Sequence, residues 1–356
     1  MGKTGHRYRN IFAIIILTIL MVTLLLAFAL EVYTVIVKDE GDMPLPPTFG
    51  NFPANRKALE QVKEAGNFSF AAVGDARSSG IFERIVSEMH KEPLDFVVLL
   101  GDLSGDNNEE HHRYLHAEMN EYVLPCPMFY VVGNHDVDPQ SFPIERFEKI
   151  YGSSIFSFEY RKCLFIVLRI LDSSRFNNKE SLAFLEKFRN IDLSRYLHTF
   201  VFFHVPPSSI STYFYGKQFV EEKALLRLID ELGIEYAING DFHGFGQCKR
   251  KKTTYIVTGG GGASLRHKPN NQFYHAAILH VTPDSVGMRI LSVPHTADFE
   301  DDLEQLAIVH VWPWMRHHIA LVVILNLLGA VIFLCLAYLL VTVTKKIKPE
   351  KISAGG

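Results

Sequence analysis

Two long apolar segments frame the chain. Residues 11–30 and 319–343 contain no charged residue, and only two threonines interrupt the first segment. An asparagine, a glycine and a threonine interrupt the second. About 18 consecutive apolar residues are enough for a helix that crosses a bilayer. The pattern therefore predicts transmembrane helices over 11–37 and 319–344, with a folded domain between them.

Short apolar runs alternate with helical patterns in the region between these segments. Strands are predicted over 68–73, 96–100, 129–132, 156–160, 164–171, 199–203, 236–239, 254–258, 276–281 and 287–293. Helices are predicted over 54–65, 81–90, in a stretch that ends near 122, and over 180–189 and 220–232. Apolar strands that alternate with helices indicate an α/β fold with parallel pairing.

Composition divides the rest of the chain. Residues 41–53 contain four prolines and two glycines, so residues 38–53 are predicted to be a linker that leads to a domain over 54–298. Residues 299–318 form a predicted juxtamembrane segment, in which Trp312 and Trp314 are typical of a membrane interface. Residues 1–10 and 345–356 are the predicted tails.

Charge predicts the orientation of the two apolar segments. The whole chain has a formal net charge of -3, which divides into two basic ends of +3 each and -9 for residues 31–318. Positively charged flanks stay cytoplasmic, so both termini are predicted in the cytoplasm and the acidic domain outside it. A cleaved signal peptide is the alternative for the first segment, because Ala27-Phe28-Ala29 fits a small-x-small cleavage pattern. An acidic domain lacks the footprint of a nucleic-acid-binding protein, and no nucleic-acid partner is expected.

Overall composition excludes several classes of protein. With 48% hydrophobic and 21% charged residues, the chain is neither disordered nor collagen-like. Four cysteines are too few for a disulfide framework, since Cys335 lies in the second apolar segment and the other three cannot all pair.

Polar residues follow five of the predicted strands at the point where each strand ends. These residues are Asp75, Asp102, Asn134 with His135, His204, and Asp241 with His243. Any one of them has an ordinary explanation as a turn, a cap or a packed histidine. Five such groups in this order are hard to obtain by accident, and metal-dependent phosphate chemistry needs oxygen and imidazole ligands that converge at this edge of a sheet.

With these residues the chain resembles the calcineurin-like metallophosphoesterases. Their pattern is Asp-x-His, Gly-Asp, Gly-Asn-His-Asp or Glu, a lone His, and Gly-His-x-His, and the resemblance covers residues 68–293. It implies an α/β fold of four layers, in which two mixed β-sheets are sandwiched between helices. It also implies two divalent metal ions at the edge of the sheets and hydrolysis of a phosphate ester.

The resemblance also implies a role for each residue. Asp75 and His243 would bind the first metal, Asp102 would bridge both metals, and Asn134 and His204 would bind the second. His135 would stabilise the phosphoryl charge or protonate the leaving oxygen, with Asp136 or Asp138 as an orienting partner.

Two positions depart from the family pattern. Arg77 stands where Asp-x-His has its histidine, and a guanidinium has only donors, so it cannot bind a cation but can grip phosphate. Asp241 stands where Gly-His-x-His has its first histidine, and it still offers oxygen ligands.

The site is expected to hold two metals with a depleted first position, and a single metal or a degenerate site are the alternatives. The mixed ligands favour manganese, with iron or zinc as alternatives.

The sequence therefore predicts a membrane-anchored phosphoesterase whose substrate is a phosphate ester. Its position near a bilayer makes a lipid-linked phosphate and contact with membrane lipids a reasonable expectation. The basic run 249–252 is either a contact for anionic headgroups or an anionic substrate, or a solvated loop. Residues 259–262, four glycines, are predicted to form a close-packed turn beside the metal site. A non-catalytic membrane scaffold or phosphate-ligand sensor on the same fold is the alternative function.

Overall fold

The computed structural model describes residues 2–77, 80–172, 176–210, 219–265, 272–295 and 298–345. The chain divides into two compact units. The terminal unit combines Met1–Asp39 with Glu304–Gly356, and the central unit is Glu40–Leu303.

The described α-helices are numbered in chain order. They are α1 (Gly2–Val37), α2 (Pro53–Glu60), α3 (Gly80–Met89), α4 (Glu109–Glu121), α5 (Ile144–Tyr151), α6 (Lys179–Glu186), α7 (Glu222–Leu232), α8 (Phe299–Gln305), α9 (Trp312–His317) and α10 (Ile319–Lys345). Short 3₁₀-helices lie at Glu40–Asp42, Lys187–Asn190 and Leu193–Arg195, and a π-helix at Leu306–Val311.

The terminal unit contains two helices, α1 and α10, that are long and apolar enough to cross a membrane, judged by length and composition. Their apolar side chains are largely exposed, as expected of helices whose surface is apolar on every side. The Asn326 side-chain amide in α10 donates a hydrogen bond of 2.7 Å to a Glu31 carboxylate oxygen in α1. This polar contact therefore joins the two helices.

The central unit contains eleven strands in two sheets among the described residues. The strands are β1 (Phe68–Val73), β2 (Phe96–Leu99), β3 (Met128–Tyr130), β4 (Phe156–Tyr160), β5 (Cys163–Val167), β6 (Thr199–Phe202), β7 (Tyr236–Asn239), β8 (Phe245–Arg250), β9 (Thr253–Thr258), β10 (Tyr274–Val281) and β11 (Val286–Val293). The first sheet has the order β11-β10-β1-β2-β3 and the second β4-β5-β6-β7-β9-β8.

Both sheets are mixed. In the first, β1, β2 and β3 are parallel while β10 and β11 pair antiparallel; in the second, β5, β6, β7 and β9 are parallel while β4 and β8 are antiparallel edge strands. The predicted α/β fold with two mixed sheets is confirmed.

Aromatic side chains fill the space between the two sheets. Phe70 and Phe96 of the first sheet stack with ring centroids 4.9 Å apart, and Phe165 of the second meets Phe96 edge-on at 5.2 Å. The outer face of the first sheet packs on α3, α4 and α5, and that of the second on α6 and α7. Helices therefore cover both outer faces, which gives the four layers.

Several local predictions differ from the structure. Residues 49–51 belong to the folded unit rather than to an extended linker, because Phe49 and Asn51 are fully buried and Asn51 hydrogen-bonds to Tyr130 on β3. Helix α5 and strand β8 were not predicted, since α5 is only eight residues long and β8 is half exposed and polar. All four cysteines are free thiols.

Candidate metal centre

The polar residues that follow five strands come together at the carboxyl ends of the two sheets. His204, which follows β6, has its Nε2 atom 3.3 Å from Oδ1 of Asp102, which follows β2. The same nitrogen lies 3.7 Å from Oδ1 of Asp241. His243 Nε2 lies 3.7 Å from Oδ1 of Asp75. All five side chains are at most 7% exposed, so they form one buried cluster.

Backbone carbonyls fix how the two histidines face this cluster. His204 Nδ1 lies 2.7 Å from the carbonyl oxygen of Leu100, and His243 Nδ1 lies 2.7 Å from that of Ser264. A carbonyl only accepts, so each Nδ1 must carry the proton and donate it. In the neutral ring the Nε2 lone pair then points at the carboxylates. Lone pairs that face carboxylates repel unless a cation or a proton lies between them.

Several buried atoms of the cluster have no hydrogen-bond partner within the described ranges of the chain. They are both carboxylate oxygens of Asp75 and Nε2 of His204. Ligand atoms of Asp75, Asp102 and His204 lie within 4.8 Å of one another. Buried polar groups are almost always satisfied, and orphaned ligand atoms at this spacing fit a metal ion. The residues present therefore match the donor chemistry of a divalent cation.

In the absence of a cation, protons balance the negative charge of the cluster. Burial alone would lower the pKa of His204, but the surrounding carboxylates, Asp102 most strongly, outweigh burial and raise its pKa to about 10. Burial raises the pKa of Asp75 well above its usual value. Without a cation the cluster thus holds protons, and metal binding must displace them.

Four residues of the site have left-handed backbone conformations although none is glycine. Their φ angles are +59° for Asp75, +53° for Arg77, +53° for Asp102 and +61° for Asp241. Side chains with a Cβ atom rarely adopt this region, which costs about 1–2 kcal/mol per residue. Such strain concentrates at functional sites, where it aims a side chain at its ligand.

Arg77 and His135 approach the cluster from its more exposed side. An Arg77 terminal nitrogen and His135 Nε2 lie 3.9 and 4.0 Å from the same Asp102 atom, Oδ2, and both side chains are about one third exposed. Arg77 Nε is buried and has no hydrogen-bond partner in the described part of the chain. The Oδ1 side of Asp102 thus faces the ligands, while its Oδ2 side faces two donors suited to a phosphoryl group.

Asn134 lies in the same loop as His135 and is 3% exposed. The neighbouring backbone N–H of His135 donates to Asp102 Oδ1 at 2.8 Å, which holds this loop against the cluster. Gly133 makes the approach possible, because a Cβ atom there would lie 2.2 Å from the Asp102 nitrogen.

Asp136, one of the two residues predicted to orient His135, supports the loops of the site. Its fully buried carboxylate accepts hydrogen bonds from the backbone N–H groups of Gly133, Asp102 and Ser104 at 2.7, 2.8 and 3.0 Å. One carboxylate thus ties the β2 loop to the β3 loop. The Asp138 carboxylate accepts from the backbone of Gln140 and Ser141 and closes the following turn.

A buried histidine supports the Asp136 loop from helix α4. His112 Nε2 lies 2.8 Å from the Asp136 carbonyl oxygen, so Nε2 must carry the proton, and Nδ1 accepts from the Tyr151 hydroxyl at 2.8 Å. Burial lowers the pKa of His112 to about 3, which keeps the ring neutral. His112 was not predicted from the sequence, because it lies inside a helix and belongs to none of the motifs.

The two weaker sequence features have definite positions. The glycine turn packs against the cluster, since a Cβ atom at Gly259 would lie 2.4 Å from Asp75 Oδ2. In the basic run, Arg250 and Lys251 both bind Asp230 Oδ2, at 2.7 and 2.9 Å. Part of the charge of this run is therefore used in holding the β8–β9 hairpin to α7.

Comparison with known proteins agrees with this geometry. The family model described as calcineurin-like phosphoesterase matches residues 41–245. No protein of curated function matches the chain by sequence.

Solved structures with a similar fold include two phosphatases and a membrane-complex protein. Purple acid phosphatase PPD1 from seeds of yellow lupin (Lupinus luteus) is 15% identical with a TM-score of 0.50, over 68% of this chain and 56% of that one. A dimetal phosphatase from Danio rerio is 14% identical over 63% of this chain and 96% of its own, with a TM-score of 0.44. GAP50 of Plasmodium, described as the anchor in the inner membrane complex, is 13% identical over 68% and 95%, with a TM-score of 0.47. At these identities the similarity concerns the fold alone.

Proposed function

Because the chain belongs to the calcineurin-like phosphoesterase family, we propose that its metal centre hydrolyses a phosphate ester. One observation carries the proposal: His204 and His243 have their Nδ1 protons fixed by backbone carbonyls and aim Nε2 at buried carboxylates. When bound, two divalent cations would polarise the phosphoryl oxygens and supply a nucleophilic water at neutral pH.

The residues of the chain have separate tasks in this reaction. Asp75, Asp102, Asn134, His204, Asp241 and His243 would hold the cations. Arg77 donates hydrogen bonds to the phosphoryl oxygens from the exposed side of Asp102. His135 reaches the same region through Nε2 and protonates the departing oxygen, which neutralises the charge that builds up as the ester bond breaks.

The donor set supports manganese as the physiological metal. Asp241 supplies an oxygen where the family pattern has an imidazole, and carboxylate-rich sites suit Mn better than Zn. Arg77 removes a ligand from the first position, so that position should bind its metal more weakly than the second. Metal analysis of the purified chain at graded Mn, Fe and Zn concentrations tests both statements: two classes of Mn site are expected, and one tight site alone would indicate a mononuclear centre.

The activity is tested with aryl phosphate monoesters and diesters in the presence of Mn. Asp102→Asn and His135→Ala should abolish turnover, and Asp284→Asn, an exposed carboxylate in the β10–β11 turn, is the matched control that should leave turnover unchanged. Wild-type protein that binds metal yet turns over no ester would contradict the proposal. That result would favour the second candidate, a phosphate-ligand sensor, for which the observation is the loss of a metal ligand at Arg77.

We also propose that α1 and α10 anchor the protein in a membrane, with both termini in the cytoplasm and the metal centre outside it. The apolar length of the helices and the basic residues at both chain ends support this. The test uses sealed vesicles whose extracytoplasmic face is outward. Added protease should cut a tag inserted in the exposed turn at Asp284 and spare a tag at the C-terminus.

Nearness to a bilayer supports a lipid-linked phosphate as the substrate. In vesicles, the full chain should hydrolyse a lipid-linked ester faster than its soluble headgroup analogue. Equal rates on both would remove the reason for choosing a lipid.

A further inference from the structure

A second cluster of carboxylates lies in the central unit, among residues that have no part in the metal centre. Glu83 on α3, Glu118 on α4 and Asp301 on α8 have carboxylate oxygens that all lie within 4.8 Å of one another. Their exposed fractions are 8%, 2% and 9%. Three helices from distant parts of the sequence thus bring three acidic groups together in a largely buried place.

Among the described residues, no lysine or arginine forms an ion pair with Glu83 or Asp301 to balance their charge. Glu121 and Asp298 add further negative charge nearby. Burial and the neighbouring carboxylate of Glu83 raise the pKa of Asp301 to about 8. Buried carboxylates without a counter-charge are strongly unfavourable, so the cluster needs a cation or a proton.

The Asp301 carboxylate itself points to a ligand. Asp301 is nine-tenths buried, and its Oδ2 atom has no hydrogen-bond partner among the residues that the structure describes. This oxygen lies against the backbone of Gly80 at the start of α3, where a Cβ atom would be only 2.4 Å away. The Tyr114 hydroxyl on α4 donates to the Asp301 carbonyl at 3.3 Å and fixes the backbone, so the free oxygen is held in place.

The spacing of these oxygens fits a hard divalent cation. Calcium binds carboxylate oxygens at about 2.3–2.6 Å, so two ligands on opposite sides of the ion lie at most about 5 Å apart. We propose that Glu83, Glu118 and Asp301 form a second cation site, which binds calcium or an ion of similar size and fixes Asp301 to α3 and α4. The site is separate from the proposed phosphoesterase activity, and either can be wrong without the other.

The test measures calcium binding to the full chain in detergent after the metal centre has been saturated with Mn. Wild type should bind one additional calcium per chain. Its Tm should rise by roughly 4–8 °C when free calcium is about thirty times Kd. Asp301→Asn removes a ligand and should abolish both effects, while Asp284→Asn removes the same charge from the exposed turn and should keep both.

A second variant tests the same site in case Asp301→Asn does not fold. Gly80→Ala leaves all three carboxylates in the chain but places a methyl group 2.4 Å from Asp301 Oδ2. This contact displaces the carboxylate oxygen, so the variant should also abolish the calcium response. In the absence of calcium, Asp301→Asn should be at least as stable as wild type, because it removes one of three repelling carboxylates.

Two results would overturn the proposal. Calcium that raises the Tm of wild type and Asp301→Asn equally acts elsewhere on the protein. If wild type binds no additional calcium and its Tm does not change, the cluster binds no cation; a lower stability of Asp301→Asn would then show that the carboxyl groups share a proton.

Discussion

Replacement of Arg77 by glycine should separate the function of this residue from its structural role. Arg77 has a left-handed backbone, with φ at +53°, and a terminal nitrogen of its guanidinium lies 3.9 Å from Asp102 Oδ2. Its Nε atom has no hydrogen-bond partner in the described part of the chain. Glycine adopts the same backbone conformation without strain, and the substitution removes every side-chain hydrogen-bond donor of Arg77. If Arg77 is retained to hold phosphate, the variant should lose activity while keeping its fold and its metals.

The magnitudes follow from the structure. Relief of the left-handed conformation is worth about 1–2 kcal/mol, and the greater freedom of glycine in the unfolded chain cancels about 0.5–1 kcal/mol of it. The Tm should therefore stay the same or rise by up to about 6 °C. Two hydrogen bonds from a charged donor contribute at least about 3 kcal/mol to holding the phosphoryl group, so kcat/KM should fall roughly 100-fold or more.

Three measurements on the same preparations decide the matter: Tm, bound metal and kcat/KM on an aryl phosphodiester. Arg77→Lys, which keeps the charge but loses the planar fork, should fall between wild type and Arg77→Gly. Lys162→Gly is the matched control, since Lys162 is exposed, has φ at +60° in the β4–β5 turn, and should change stability alone. Unchanged kcat/KM in Arg77→Gly would refute the role in phosphate binding, and lost metal would show that Arg77 is structural.

Two further predictions concern the loops that hold the metal centre. Burial lowers the pKa of His112 to about 3 in the folded state, whereas its value in the unfolded chain is about 6.5. Between these two pH values the folded state binds fewer protons than the unfolded state, so stability should fall as pH drops from about 6.5 towards 3. His112→Gln should flatten this slope in thermal melts, and parallel slopes would count against the histidine. Gly133→Ala places a methyl group 2.3 Å from Asp102 Oδ1, which should cost at least about 1–3 kcal/mol and eliminate bound metal. Gly287→Ala, whose Cβ would meet only one atom at 3.8 Å, should retain wild-type metal content.

The clustering of the proposed metal ligands was predictable because each follows an apolar run. The runs before Asp75 and Asp102 are buried parallel strands, and parallel strands place their carboxyl ends at one edge. The mixed character of the sheets came from the family resemblance, since periodicity alone does not reveal that β10 returns antiparallel beside β1.

The supporting contacts were not predictable. The carbonyls of Leu100 and Ser264 set the histidine tautomers through backbone groups that leave no trace in residue type. The three N–H bonds to Asp136 depend on the exact path of two loops. In the carboxylate cluster, Glu83 and Glu118 lie between the predicted site motifs and Asp301 follows the last of them, and only the folded backbone brings the three together.

The pairing of β1 with β10 has a consequence for synthesis. Phe68 pairs with Val281, so the strand that carries Asp75 has one open edge until the ribosome has added all of β10. At about 5–20 residues per second, that interval lasts roughly 10–40 s. Throughout it, a strand of buried apolar residues exposes unpaired backbone groups along one edge. The nascent chain is therefore expected to depend on a chaperone that covers this edge, and a chain truncated after residue 245, where the family match ends, should aggregate rather than form a smaller domain.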